Sequence, residues 1–200
     1  MLAEQYITTV ANDLKGIISQ LDRVKDAAAH IFGAVTAGQS VFVIDQYNIL
    51  DAEMVNRAGG LALFTSLRNE LADPSTGDVY VISAYHPDDP VDMGFLTEAR
   101  EIGAAVIAIA PPGALADEAD TALLNTYDPH NGILEAPGVG EPFCPASGIF
   151  NTTLAWMMAA DVCERLLADD RTPSVFMNES LKGGDDFNEA TRRDYTQKGF

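Results

Sequence analysis

Val79-Tyr80-Val81-Ile82, a polar loop from Ser83 to Asp89, a segment from Pro90 to Ile102, then Ala104-Ala105-Val106-Ile107-Ala108-Ile109: this run decides the fold class. Both apolar runs are short, rich in β-branched residues and without polar alternation, as expected of strands buried on both faces. The segment between them puts Met93, Leu96 and Ala99 on one helical face. A strand, a helix and a second strand at this spacing form a parallel crossover, and such crossovers are right-handed. Pro111-Pro112 end the second strand.

The same alternation extends in both directions. Val41-Phe42-Val43-Ile44 reads as the first strand, Leu61 to Phe64 as the second and Thr121 to Leu124 as the fifth. Upstream, Ile7, Val10, Leu14, Ile17, Leu21, Val24, Ala28, Ile31 and Val35 recur every three or four residues. They predict a long amphipathic helix, or two joined end to end, with Gly38 as its C-cap. Asp51 to Ala58 reads as a helix ended by Gly59-Gly60, residues 126–147 as a Pro- and Gly-rich loop, and Ser147 to Ala168 as a strong helix. The sum is a doubly wound α/β sandwich with a mainly parallel sheet. Residues 1–172 are expected to form one domain, and 173–200 an extension packing on it or on a partner subunit. Ligands of such sheets bind beyond the carboxyl ends of the strands. The loops to search are therefore Asp45–Leu50, Thr65–Asp78, Ser83–Asp89 and Ala110–Glu118.

Composition narrows the partners. The 200 residues carry 12 Lys+Arg against 30 Asp+Glu, a formal charge of −18. Duplex nucleic acid and anionic lipid carry the same sign, so neither is expected as a partner. Met1 to Val10 has no basic segment leading into an apolar one, and Gly103 to Ala116 is too short and interrupted to span a bilayer. A cytoplasmic location is expected. Cys144 lies in a loop and Cys163 on an apolar helix face; with no CxxC pair and no His/Cys cluster, no metal is expected.

Three further segments carry a resemblance. Glu53-Met54-Val55-Asn56-Arg57-Ala58-Gly59-Gly60-Leu61, Gly77-Asp78-Val79-Tyr80-Val81-Ile82-Ser83, and the tail from Val175-Phe176-Met177-Asn178 through Gly183-Gly184-Asp185-Asp186-Phe187-Asn188 resemble the SIS (sugar isomerase) domain family. The likeness is to a bacterial branch described as phosphoheptose isomerase-like, and it covers nearly the whole chain. It implies a three-layer, flavodoxin-like α/β/α sandwich on a five-stranded parallel sheet. It also implies a homodimer or homotetramer with sites at subunit boundaries, a sugar or sugar phosphate as ligand, and isomerase activity without a cofactor. Phosphate would be cradled by Ser- and Gly-rich loops after the first and third strands.

At those loops this sequence departs. Asp45-Gln46-Tyr47-Asn48 replaces the first loop, and Ser83-Ala84-Tyr85-His86-Pro87-Asp88-Asp89 the second, where only Ser83 survives. Asp89-Pro90 with Asp92 has the form of a helix start, carboxylate at N-cap and proline at N1. A phosphate dianion ~5 Å from one carboxylate is repelled by ~7 kcal/mol at an effective dielectric of ~20. Serine hydroxyls at ~1 kcal/mol each do not offset that.

Glu53 and His86 are the catalytic candidates. Glu53 would be the base of an aldose–ketose isomerisation and His86 an acid/base beside the ligand. The competing readings are an i, i+4 pair with Arg57 and a surface loop histidine. Candidate substrate contacts are Asp45, Asn48, Ser83, Tyr85 and Ser147. Against these, Asn48 suits an N-cap with Asp51 three residues on, and Ser147 an N-cap of the last helix. Asp45 is harder to explain by capping. Tyr47 and Tyr85 either stack on a ligand ring or fill the space a phosphate vacated. His130 reads as part of a turn, and His30 as a packing or surface residue that the family could place near a neighbouring subunit's site. Gly183-Gly184-Asp185-Asp186 lacks the EF-hand spacing, and the faces around Trp156, Met157 and Met158 read as core and dimer interface rather than a cofactor pocket. A carbohydrate-derivative-binding protein is the leading expectation. The alternative is a non-catalytic sugar sensor or structural homodimer with a vestigial site.

Overall fold

The computed structural model describes residues 1–68, 73–125 and 132–200. His130, with the turn read there between Asp128 and Asn131, lies outside the described residues. Two helices, α1 (Leu2–Ile17) and α2 (Leu21–Thr36), are joined by a single 3₁₀ turn and lead into β1 (Val41–Asp45). There follow α3 (Ile49–Met54), β2 (Phe64–Ser66), β3 (Val79–Ser83), α4 (Pro90–Ile102), β4 (Ala105–Ala110), α5 (Ala114–Glu118) and β5 (Thr121–Leu124). The chain ends with α6 (Ser147–Ala168) and α7 (Gly184–Lys198). The five strands form one sheet in the order β2-β1-β3-β4-β5, and every pair is parallel.

Alternation within each strand explains the layers. Val41, Val43, Val79, Val81, Ile107, Ile109 and Leu123 enter one core with α1, α2, α3 and α6. Phe42, Ile44, Tyr80, Ile82, Val106 and Ala108 enter a second core with α4 and α5. Both faces are therefore covered, as a continuous apolar strand requires. The outer edge of β5 is closed at the α1–α2 junction. There Gln20 takes the place of a neighbouring strand: its Oε1 accepts from Leu124 N at 2.6 Å and its Nε2 donates to Leu124 O at 2.8 Å. Among the described residues, no helix is long and apolar enough to cross a membrane.

Two elements differ from expectation for one reason. The stretch expected as strand two, Leu61 to Phe64, joins the sheet only from Phe64 onward. Its first residues pair instead with the C-terminal segment. Gly59 N donates to Phe176 O (2.8 Å), Phe176 N to Gly60 O (3.0 Å) and Ala62 N to Ser174 O (2.9 Å). Backbone groups satisfied there are not available to β1. The helix expected over Asp51–Ala58 lies at Ile49–Met54, because Val55 already turns extended to reach this junction.

The tail continues into α7, a polar helix that periodicity did not single out. Asn188, 2% exposed, clasps Met177 from both sides, with Oδ1 accepting from Met177 N and Nδ2 donating to Met177 O, each at 2.8 Å. Gly183 starts the helix at φ +82°, and a Cβ on Gly184 would stand 2.4 Å from Asn178 O. The three glycine and asparagine positions of this segment thus have packing reasons. Asn188→Ala would leave both Met177 backbone groups without partners, and we expect a loss of roughly 1–3 kcal/mol in urea denaturation. An unchanged midpoint would refute the clasp.

Candidate functional site

The sheet's order reverses at β1, so the loops after β1 and β3 flank the crevice where such folds bind ligands. β1 ends in Asp45 and β3 in Ser83, paired side by side. Asp45 is 2% exposed. Its Oδ1 accepts from Tyr47 N at 2.9 Å and its Oδ2 from Leu50 N at 2.6 Å. The carboxylate thus holds the tight turn into α3 and satisfies one of that helix's orphan amides. Asn48 occupies the N-cap position at φ +62° without capping through its side chain. The capping role read for Asn48 is therefore performed by Asp45, whose position at the strand end lets it reach both amides.

Ser83 points inward. Its Oγ accepts from Asn151 Nδ2 at 3.1 Å, and Asn151 Oδ1 accepts from Asn125 Nδ2 at 2.7 Å. Asn151 is fully buried on α6, and this chain of amides ties the ends of β3 and β5 to that helix. Sequence reasoning missed Asn151; its signal is one polar residue on an otherwise apolar helix face, a turn beyond Ser147. Tyr85 is 4% exposed, with Tyr47 set edge-on against it at 5.1 Å and 85°. The Tyr85 hydroxyl is buried without a hydrogen-bond partner among the described residues. Burial first, and the Asp45 charge second, push its pKa up.

The N-terminus of α4 is closed by the protein's own groups. Asp89 Oδ1 accepts from Val91 N at 2.8 Å and from Gln46 Nε2 at 2.9 Å, with Pro90 in the first helical position. The Gln46 bond, then the Val91 amide, hold the Asp89 carboxyl below its usual range. Beneath it Asp92 is 2% exposed, and its Oδ1 has no partner among the described residues. Burial, opposed by a Gln46 hydrogen bond and reinforced by the Asp89 and Asp45 charges, raises its pKa to about 6. His86 is half-buried nearby, and its charge contributes to lowering Asp89. Three carboxylates and a filled tyrosine pocket thus stand where a phosphate would approach.

Glu53 and Ser147 come together elsewhere. They line an open cleft of about 600 Å³ between α1, α3 and α6, with Tyr6, Ile49, Thr152 and Thr153. Glu53 pairs with Arg57 at 3.0 Å, four residues on. Ser147 is the first residue of α6, with Ala146 at the N-cap position, so the cap read for Ser147 is displaced by one residue. Asp45, Ser83 and Tyr85 form one buried group; Glu53 and Ser147 face a different space. Among the described residues, no three His, Cys, Asp or Glu side chains are grouped to hold a metal.

No protein-family model matches the chain. A UPF0309 protein of Listeria innocua is 23% identical, the alignment covering 98% of this chain and 97% of the relative. Among solved structures, a phosphoheptose isomerase from Neisseria gonorrhoeae superposes with a TM-score of 0.61 at 12% identity, covering 83% of this chain and 97% of that one. The sugar isomerase domain of an RpiR transcription factor from Sphaerobacter thermophilus superposes with a TM-score of 0.54 at 14% identity, covering 98% of both chains. The chain has the SIS fold: the five-stranded parallel sheet and its two helical layers are those of sugar isomerase domains.

Asp92 makes the stability of this region depend on pH. Its folded pKa lies above the ordinary carboxylate value of 3.8, so the folded chain binds this proton more tightly than the unfolded chain. The penalty is absent below about pH 4 and fully developed above about pH 6, where it reaches at most about 3 kcal/mol. Asp92→Asn should stabilise the protein at pH 8 and leave it unchanged at pH 4, as read from denaturation midpoints. Equal effects at both pH values would refute the assignment.

Proposed function

We propose that this protein binds a carbohydrate derivative lacking phosphate, in the cleft shared by Glu53 and Ser147. The observation that carries this reading is the closed N-terminus of α4. Its first amide is already bonded to Asp89, and Asp45 and Asp92 add negative charge around it. An incoming phosphate would have to displace a carboxylate and then lie beside two others, a repulsion of several kcal/mol by Coulomb's law at an effective dielectric of ~20. The cleft between α1, α3 and α6 has what a sugar needs. Tyr6, Glu53, Thr152, Thr153 and the largely buried Ser147 supply polar groups to its lining, beside the apolar side chains of Ile49 and Ile149. Its volume lies in the range of small-molecule sites.

The isomerase reading draws support from Glu53, whose carboxylate lines this cleft beside Ser147. A base held to Arg57 must first leave that pair, and the pair is half-exposed and weak enough to exchange. The protein is further proposed to act as a cytoplasmic homodimer, with residues 1–172 as its single domain and the tail docked upon it. What supports the dimer is the exposure of apolar side chains along α1 and its junction with α2, Ile7, Ile18 and Leu21.

A thermal-shift panel of neutral sugars, amino sugars and sugar phosphates tests the proposal. A ligand at a hundred times its dissociation constant adds about 2.7 kcal/mol, roughly 5–10 °C for a chain of this size. We expect shifts from non-phosphorylated sugars that Ser147→Ala and Thr152→Ala reduce. Shifts from sugar phosphates alone would sink the reading. Turnover abolished by Glu53→Gln, with the ligand-induced shift retained, would establish the isomerase.

A further inference from the structure

At the carboxyl ends of the strands, Arg68 has no carboxylate within ion-pair distance among the described residues. Beyond β2, Leu67 N donates to Val43 O at 3.2 Å, and Arg68 N donates to Ser66 Oγ at 3.3 Å, which fixes the Arg68 backbone. The Arg68 guanidinium then reaches over the end of β1. Its Nη2 donates to the carbonyl oxygens of Asp45 (2.8 Å) and Gln46 (2.9 Å), and its Nη1 to Asn48 Oδ1 (2.9 Å). Every one of these acceptors is neutral. Among the described residues Arg57, Arg100, Arg165, Arg171, Arg192 and Arg193 pair with a carboxylate, whereas Arg68 and Arg23 do not. Arg23 lies at β5 with its Nη1 donating to the Ala122 carbonyl, and Arg68 alone of the two borders a cleft at the strand ends. In a chain of formal charge −18, an exposed guanidinium held by three hydrogen bonds to neutral acceptors, with no carboxylate paired to it among the described residues, retains free N–H groups suited to an oxyanion.

Arg68 borders a cleft of about 320 Å³ whose other walls are Ile44, Leu67, Pro74, Phe95 and Glu98. Leu67 and Phe95 pack against the core on the α4 side of the sheet, whereas the cleft of Glu53 and Ser147 opens beside α6. The two spaces lie on opposite sides of the sheet. Four of the walls here are apolar, and none carries a hydroxyl. Glu98 is fixed by the Tyr80 hydroxyl, which donates to its Oε1 at 2.9 Å, and it stands in the same cleft as a like charge to any anion.

We infer that this cleft is a second ligand site, for a small organic oxyanion, carboxylate or phosphate monoester, whose apolar body covers Leu67 and Phe95. The oxyanion meets Arg68, and the apolar walls exclude water from the rest of the molecule, which separates such a ligand from free phosphate. The inference does not depend on the carbohydrate reading, because no residue is shared between the two clefts.

The test uses phenyl phosphate and benzoate as probes, with phenol as the uncharged control and inorganic phosphate as the control without an apolar body. Binding to the full chain is followed by ¹⁵N-resolved NMR. Both probes are expected to shift the Leu67 and Phe95 amides and the Arg68 Nε–H, with phenol and inorganic phosphate roughly tenfold weaker or worse. Arg68→Lys keeps the charge but loses the fork, and should weaken both probes about tenfold. Glu98→Gln leaves Arg68 and the Tyr80 acceptor in place, and removal of the like charge should tighten both probes roughly two- to fivefold at low salt. That variant keeps the proposal testable even where substitution of Arg68 disturbs the β1–α3 turn. Phenol binding as well as benzoate, shifts confined to other residues, or no tightening in Glu98→Gln would each overturn the site.

Discussion

A parallel sheet with apolar side chains on both faces has to be covered on both, and this requirement organises the molecule. Val41 and Val43 face one core, Phe42 and Ile44 the other, and β3 and β4 repeat the division. Each crossover connection must return the chain to the same edge before the next parallel strand, so all five strands end at one side of the sheet. The connections at that side are short; only Gln46, Tyr47 and Asn48 separate β1 from α3. Backbone amides in so tight a turn need partners close at hand. Asp45, the last residue of the strand, supplies two carboxylate oxygens and anchors Tyr47 and Leu50.

The same solution recurs at α4, where Asp89 caps the helix and Gln46 reaches across from the β1 loop to the same oxygen. A cap of this kind converts an anion-attracting helix end into a neutralised one. Burial beneath this cap, with smaller contributions from the Asp89 and Asp45 charges, makes Asp92 hold its proton to higher pH. Tyr85 completes the closure from within, and Tyr47 covers it. The open spaces lie to either side of this plugged centre: a hydroxyl-lined cleft beside α6, and an arginine-bordered apolar one beside α4. The β1–α3 turn joins them, since Asn48 holds Arg68 while Ile49 lines the other cleft.

Much of this architecture was legible in the residues. The strand of Val79 to Ile82, the helix from Pro90 to Ile102 and the long helix from Ser147 to Ala168 were readable from period and punctuation alone, and the Asp89-Pro90 start of α4 from cap chemistry. Reading failed where a residue's partner is distant in sequence. Leu61 looked like strand because its run is apolar, yet its backbone pairs with Val175, more than a hundred residues away. Asp45 looked free because its two amide partners are set by the direction in which the turn leaves β1. Asn151 was invisible as a polar link because its partners, Ser83 and Asn125, come from two other strand ends. Arg68 lay within a searched loop and was passed over, since nothing local announces that its guanidinium crosses to β1.

By itself, then, the order of residues determined the class of fold, the positions of most elements and the presence of carboxylates where this fold can receive an anion. Local periodicity encodes these, because burial on two faces or one stripe imposes a repeat on the chain. Which groups share a space was decided only in three dimensions. Glu53 and Ser147 are almost a hundred residues apart and meet across one cleft; His86 and Asp45 border the same crevice but occupy different surroundings. The physical reason is that a side chain's function depends on solvent, charge and hydrogen-bond partners at distances of a few ångströms, and in a crossover topology those neighbours come from segments that the sequence keeps far apart.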